Sequence, residues 1–155
     1  MPAITPDRFV VEQDGPSHPT GAKTTEWISE AGHLTQFGAF IETLQPGSRS
    51  SIKHWHSAED ELVYVLDGEV TLIEGTTETL LHRGDAATFK AAVAVGHYLE
   101  NRSMRPTRCF IVGTRAAVDK ITYPDHDRIL HCDRAQPDDI WTDFAGNPAV
   151  SAYKR

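Results

Sequence analysis

Short apolar runs separated by turn residues are the feature of this sequence that most restricts its fold. Between residues 34 and 114 the runs are LTQFGAFIETL, ELVYVL, EVTLIE, ETLLH, AATF, HYLEN and TRCFIVGT, and the intervening breaks include QPGS, DG, GTT and RGD. The runs are rich in β-branched and aromatic residues and are shorter than typical helices. Seven or so short strands at this spacing predict an all-β protein, an antiparallel barrel or sandwich rather than a parallel α/β sheet.

The Asp67-Gly68 pair is a strong local turn signal between two of these runs. Glycine accepts the positive φ that tight hairpin turns require, so we expect ELVYVL and EVTLIE to form a β-hairpin. Alternation along the first run would place Glu61, Val63 and Val65 on one face.

The flanking segments have a different composition. A chain of 155 residues predicts one domain with a core of its own. Residues 1–33 are rich in Pro, Thr, Gly and charge, which predicts an extended N-terminal arm before a barrel at residues 34–115. Residues 116–155 lose the periodic pattern, and we expect a C-terminal tail that wraps the barrel, with one short strand or helix near residues 116–121.

Charge and cysteine content restrict partners and location. The chain has 15 Lys and Arg against 22 Asp and Glu, a net charge of −7, which disfavours binding to nucleic acid. Cys109 and Cys132 lie outside any CxxC pattern and are expected to be free thiols in a reducing compartment. The N-terminal sequence has no long apolar run, so we expect no membrane association and a cytoplasmic location.

The stretch HWHSAEDELVYVLDGE concentrates metal-binding side chains beside predicted core. His54 and His56 are two residues apart, so a strand would point both to one face, about 6–7 Å apart. A turn through SAED would return Glu61 beside them, and His97 opens another predicted strand. Three imidazoles and a carboxylate suit one divalent transition metal (Zn, Fe, Mn, Ni, Co or Cu) with coordination positions left open. An isolated His-x-His pair is, however, more often a surface pair or a hydrogen-bonded core pair.

The spacing of these residues resembles the first conserved motif of the cupin superfamily. That motif reads glycine, five residues, His-x-His, three or four residues, glutamate, six residues and glycine. His54, His56, Glu61 and Gly68 match it, and only the gap after Gly47 is one residue longer.

A second stretch resembles the second cupin motif. Gly84 and the spacing from His97 to Asn101 fit, whereas Lys90 replaces the usual proline, Ala92 replaces a glycine, and two extra residues precede the histidine. The resemblance covers about residues 36–115.

Within the superfamily, the sequence is similar to small bacterial single-domain cupins, some of them loosely named sugar-phosphate isomerase-like. This resemblance implies an RmlC-like jelly-roll β-barrel with the metal inside it, and commonly a homodimer in which an N-terminal segment pairs with the partner's sheet. It places the four metal ligands at His54, His56, Glu61 and His97.

Other polar residues are candidates for supporting roles. Gln36, Tyr98 and Asn101 are possible donors to the metal-binding imidazoles or pocket residues, because a ligating imidazole needs a partner on its second nitrogen. Lys90 stands near the expected mouth of the barrel, where it could meet an anionic substrate or remain a solvated loop lysine.

Three classes of function remain open from the sequence. The first is a metal-dependent enzyme acting on a small oxygen-rich metabolite (a sugar, sugar phosphate or hydroxy or keto acid) by isomerase, lyase or dioxygenase chemistry. The second is a non-catalytic module that binds or senses a small molecule, and the third is a storage role. The fold alone does not choose among them.

Overall fold

A computed structural model describes residues 3–154 of the chain. One short helix, α1 (Ile28–Ala31), and 3₁₀ turns at Pro6–Arg8 and Pro124–His126 accompany the strands. The strands of this range are β1 (Val10–Asp14), β2 (Lys23–Trp27), β3 (Phe37–Leu44), β4 (Trp55–His56), β5 (Glu61–Asp67), β6 (Glu69–Glu74), β7 (Thr77–His82), β8 (Ala86–Phe89), β9 (His97–Glu100), β10 (Thr107–Thr114), β11 (Val118–Tyr123), β12 (Arg128–Asp133) and β13 (Ile140–Thr142).

The strands form antiparallel sheets. The six-stranded sheet has the order β1-β2-β3-β10-β5-β8, a four-stranded sheet has the order β13-β12-β11-β4, and a three-stranded sheet has the order β7-β6-β9. A backbone bridge between His54 and His97 joins the two smaller sheets at their edges. The prediction of an all-β jelly roll is therefore confirmed.

The hydrophobic core is built by the alternation of side chains along the strands. On β5, Val63 and Val65 are fully buried, whereas Leu62 and Tyr64 are about 40 % exposed on the outer face. Strands β3 and β5 to β10 contribute to the core cluster, whose buried members are Leu44, Val63, Val65, Val70, Leu72, Leu81, Phe89, Leu99, Cys109 and Ile111.

The predicted hairpin at Asp67-Gly68 is wrong. Gly68 does have a positive φ of 81°, but β5 belongs to the six-stranded sheet and β6 to the three-stranded sheet. The glycine turns the chain from one sheet to the other, and a Cβ there would lie 3.0 Å from the Thr107 hydroxyl. The hairpin in this region joins β6 to β7, where Glu74 pairs with Thr77 around Gly75.

The flanking segments contain more strand than the sequence indicated. Within the predicted arm, β1 and β2 pair with each other, and β2 pairs along its whole length with β3. Within the predicted tail, β11, β12 and β13 form a meander, and β11 also pairs with β4. Residues 1, 2 and 155 of these segments lie outside the described range. The tail strand β11 is thereby placed next to the His-x-His stretch.

Candidate metal centre

His54 and His97 are brought together by the backbone. The His97 N–H donates to the His54 carbonyl at 2.8 Å, and the His54 N–H donates to the His97 carbonyl at 3.2 Å. Residues paired in this way across antiparallel strands project side by side. Their ring centroids accordingly lie 4.9 Å apart.

His56 and Glu61 complete a cluster of four. One ligand atom from each of His54, His56 and Glu61 lies within 4.8 Å of the others. The Glu61 carboxylate is also 3.5 Å from Nε2 of His97. The structure thus brings together all four residues that the sequence analysis named as metal ligands.

The second nitrogen of two of these histidines is held by a fixed partner. Nδ1 of His54 lies 2.9 Å from the carbonyl of Ile52, which can only accept a hydrogen bond. Nδ1 of His56 lies 2.7 Å from a carboxylate oxygen of Asp119. Such contacts place the proton on Nδ1 and leave Nε2 with its lone pair, the arrangement in which histidine binds a metal.

The ring nitrogen of His97 that faces Glu61, Nε2, has no hydrogen-bond partner in the described range. This atom is buried. The ring is fixed by stacking on Phe89, with centroids 3.6 Å apart and planes 2° from parallel. A buried polar atom without a partner costs about 1–3 kcal/mol. A cation held between His97 and Glu61 would remove this cost, so the donor set fits a metal.

The electrostatics of the cluster favour the protonation states that bind metals. Burial lowers the pKa of His54 to about 4, against the smaller opposing effect of Glu61, so this imidazole is neutral at pH 7. Burial acts to raise the pKa of Glu61, but the neighbouring His97, His54 and His56 outweigh it and the net pKa is lowered. The result is an ionised carboxylate beside a neutral imidazole.

Asp119 is the partner that the sequence analysis missed. Its side chain is 2 % exposed and lies on β11, in the segment expected to be an irregular tail. Besides His56, it accepts hydrogen bonds from the Ser57 hydroxyl at 2.9 Å and the Ala58 N–H at 2.8 Å. Burial acts to raise the pKa of Asp119, and these three donors lower it below the usual value. The sequence feature that could have pointed to this role is the position of Asp119 inside the strand-like run VDKITY.

The candidates for supporting roles are placed differently. The backbone carbonyl of exposed Gln36 accepts from Arg115, and its side chain makes no hydrogen bond among the described residues. Tyr98 follows His97 on β9 and so points to the opposite face, where Arg49 lies over its ring. Asn101 is fully buried and donates to the carbonyls of Leu44 and Arg105. In the described part of the chain, none of these three side chains forms a hydrogen bond with His54, His56, Glu61 or His97.

Three cavities are lined by residues of the cluster, and one of them, about 370 Å³, reaches it only through Glu61. The other two are lined by His56 together with a second residue of the cluster. The larger, about 310 Å³, is lined by His56, Glu61, Arg115 and Arg134 among others, and we call it the arginine cavity. The smaller, about 170 Å³, is lined by residues that include His56, His97, Trp55 and Lys90. Lys90 is therefore the one supporting candidate that reaches a cavity beside the cluster.

A family model and the solved structures that resemble this chain both indicate cupins. A family model described as Cupin domain matches residues 40–113. A sugar phosphate isomerase of the cupin superfamily from Silicibacter pomeroyi superposes with a TM-score of 0.85, 27 % identity and coverage of 98 % of this chain and 99 % of that chain.

Two further solved structures share the fold. A protein from Acidithiobacillus ferrooxidans, provisionally described as a sugar phosphate isomerase, has a TM-score of 0.80 and 24 % identity, covering 94 % of this chain and 92 % of that one. An RmlC-like cupin from Shewanella frigidimarina has a TM-score of 0.55 and 13 % identity, covering 73 % and 89 %. No curated protein matches the sequence. None of the helices within residues 3–154 has the length and apolar character needed to cross a membrane.

Proposed function

Because this chain belongs to the cupin superfamily through its domain at residues 40–113, we propose that it is a metal-dependent enzyme acting on a small oxygen-rich metabolite. The substrate would be a sugar, a sugar phosphate or a hydroxy or keto acid, and the chemistry that of an isomerase, lyase or dioxygenase. One divalent transition metal (Zn, Fe, Mn, Ni, Co or Cu) would be held by His54, His56, Glu61 and His97.

The observation that carries this proposal is the buried, unpartnered Nε2 of His97 facing the Glu61 carboxylate at 3.5 Å. A histidine retained only for packing would be expected to satisfy this atom with a hydrogen bond. The pairing of His54 and His56 with Ile52 and Asp119 supports the same interpretation, because it presets Nε2 of both rings for a cation.

The chain's own residues supply a site prepared for catalysis. A bound divalent cation would act there as a Lewis acid on a carbonyl or hydroxyl oxygen of the substrate. Four protein ligands leave coordination positions open on a five- or six-coordinate ion, unlike a closed structural zinc site. Asp119 orients His56, stacking on Phe89 orients His97, and the arginine cavity gives a small molecule room beside Glu61.

The similarity to the sugar phosphate isomerase of Silicibacter pomeroyi supports an enzyme over a storage protein. It extends over nearly the whole of both chains, including the strands outside the family match. Among the three reaction types, it favours isomerase chemistry.

The test is elemental analysis of protein purified without nickel affinity chromatography, followed by activity assays under air and under nitrogen. We expect about one transition-metal ion per chain and turnover of a sugar phosphate, sugar or hydroxy acid. Turnover under nitrogen would indicate an isomerase or lyase, and strict oxygen dependence a dioxygenase. A metal-loaded chain inactive on all these substrates would contradict the enzyme proposal and favour a binding or sensing protein.

A second experiment tests whether activity depends on the cluster. His97→Ala should abolish activity, and His82→Ala, at an exposed histidine, is the control.

We also propose a homodimer in the cytoplasm. Strand β1 is the outer strand of the six-stranded sheet, and its Val10 and Val11 are about half exposed. An unpaired edge with exposed apolar side chains is a typical site for pairing with a second chain. Light scattering tests the assembly, and a full-length chain that stays monomeric at high concentration would contradict it.

The cysteines support the proposed cytoplasmic location, because Cys109 and Cys132 are both free, which is typical of proteins in a reducing compartment.

A further inference from the structure

The arginine cavity exists because two glycines stand beside Glu61. In the six-stranded sheet, Gly113 of β10 pairs with Gly38 of β3 on one side and with Glu61 of β5 on the other. All three positions line the cavity. Side chains at residues 38 and 113 would project into the space next to the Glu61 carboxylate. Their absence leaves a volume of about 310 Å³ that reaches the metal centre.

Arg115 lines this cavity in a fixed orientation. Its Nη2 donates to the Glu30 carboxylate and its Nη1 to the carbonyl of Leu34 at 3.0 Å. A Cβ at Gly38 would lie 3.4 Å from the guanidinium, so the glycine lets this group pack against β3. Within residues 3–154, no acceptor takes the hydrogen of Nε.

Arg134 lines the cavity from the tail segment. Its Nε donates to the carbonyl of Ala116 at 2.9 Å and its Nη2 to the Glu59 carboxylate at 2.7 Å. Among the hydrogen bonds of the described residues, none uses Nη1. A guanidinium has five N–H donors, and each of these two arginines therefore keeps donors for a ligand while its orientation is fixed by protein groups.

The charges around the arginine cavity would balance with a divalent ion bound. Its lining contains Arg115, Arg134, Glu30, Glu59 and Glu61, and Glu30 and Glu59 pair with the two guanidiniums. A divalent ion would offset Glu61 and the carboxylate of Asp119 behind His56. The selectivity for an anion therefore rests on the unused donors of the two guanidiniums.

The wall of the cavity adds an apolar surface and another unused donor. Trp27 and Phe40 both line it, with ring centroids 4.5 Å apart. The indole N–H of Trp27 is buried and has no hydrogen-bond partner among the described residues. The carbon skeleton of a small metabolite can pack on these rings, as is usual in ligand pockets.

We propose that the arginine cavity is an anion subsite, in which Arg115 and Arg134 bind the carboxylate or phosphate group of the substrate while its other oxygens face the metal centre. This inference rests on the proposed function, since it names the substrate class of the same site. Neutral sugars are poor ligands under this assignment. Planar guanidiniums suit both anions because they can donate two parallel hydrogen bonds.

The test is calorimetric titration of glycolate, glycerol phosphate and glycerol into the zinc-loaded chain. Arg115→Gln and Arg134→Gln are compared with Arg102→Gln, whose guanidinium pairs with Glu78 and Glu100 on the surface. We expect the wild type to bind at least one of the two anions about tenfold or more tightly than glycerol. Each cavity variant should weaken that anion about tenfold or more, and the surface variant should not. The preferred anion distinguishes a hydroxy acid from a phosphate ester.

Further variants keep the test decisive. Arg134→Lys retains the charge but not the paired donors, and it should bind the anion with an affinity between those of the wild type and Arg134→Gln. Unchanged anion affinity in both glutamine variants, or equal affinity of the wild type for glycerol and the anions, would overturn the proposal. Zinc content is measured in every sample. A wild type that binds no zinc would contradict the proposed function, and arginine-dependent anion binding by that metal-free chain would still support the subsite.

Discussion

Asp119→Asn is the substitution that most sharply tests how the fold prepares the metal centre. One oxygen of Asp119 accepts from Ser57 and Ala58, and the other from Nδ1 of His56 at 2.7 Å. An asparagine can keep the first two hydrogen bonds through its amide oxygen. Its NH₂ group would then face His56, and the ring would have to accept at Nδ1 and carry its proton on Nε2. That tautomer cannot bind a metal through Nε2.

The expected magnitude follows from the bond that is lost. A hydrogen bond to a charged group contributes about 1.5–3 kcal/mol. If that energy serves to hold His56 in its metal-binding tautomer, metal affinity falls by about 10- to 100-fold, which is the usual cost of losing such an outer partner. The fold should survive, because the asparagine occupies the same volume and keeps the contacts to Ser57 and Ala58.

The assay is competition between the metal-free chain and a chelator of known affinity, with thermal unfolding recorded in the presence and absence of metal. Asp133→Asn is the matched control, since Asp133 lies on the neighbouring strand β12 and, within the described range, its side chain accepts a hydrogen bond only from Ala135. A loss of stabilisation by metal in Asp119→Asn alone is the expected result. Wild-type affinity in this variant would refute the argument that Asp119 sets the tautomer of His56.

Three further predictions concern ligation, pH dependence and packing. His56→Ala should retain only a small fraction of the bound metal by elemental analysis, and His126→Ala should retain it all, since removing one ligand of four weakens both affinity and geometry. In the metal-free chain, burial lowers the pKa of His54 to about 4, so this residue makes the free energy of unfolding fall as pH drops below about 6.5. Burial raises the pKa of Glu42 to about 7, so this residue makes the free energy of unfolding fall as pH rises above about 4.5. The two contributions therefore have opposite slopes. Glu42→Gln removes the contribution of Glu42. Urea titrations should therefore show that the free energy of unfolding of this variant falls more than that of the wild type when pH is lowered from 6.5 to 4.5. Parallel curves for the two proteins would contradict the raised pKa of Glu42. Val65→Ala should lower the free energy of unfolding by about 2 kcal/mol, because the side chain is fully buried, and a loss below about 0.5 kcal/mol would contradict the packing.

The sequence allowed good prediction where the decisive information is local. Alternation placed Glu61, Val63 and Val65 on one face of β5, and the structure has Val63 and Val65 in the core with Glu61 on the same side at the cluster. His54, His56 and Glu61 also lie within eight residues of one another, whereas His97 lies 36 residues after Glu61 and was identified through the resemblance to the second cupin motif. The structure brings these four residues together.

Prediction from the sequence failed where a distant segment decides the outcome. A glycine with positive φ fits a hairpin and equally fits a change of sheet, so Gly68 alone could not show that β5 and β6 separate. Asp119 reaches His56 only because β11 pairs with β4 across more than 60 residues of sequence. Arg115 and Arg134 meet in one cavity because β12 returns antiparallel along β11, with Val118 opposite Asp133, in a segment that the sequence analysis expected to be an irregular tail.

Cobalt substitution tests the central claim most directly, because its spectrum reports both the presence of the metal and the number of its ligands. If His54, His56, Glu61 and His97 hold an ion with open positions, the cobalt-loaded chain should show weak visible absorption typical of five or six ligands. Adding oxalate should shift that spectrum as exchangeable ligands leave. An intense tetrahedral spectrum that no small anion changes would contradict the account, because it would mean a closed structural site.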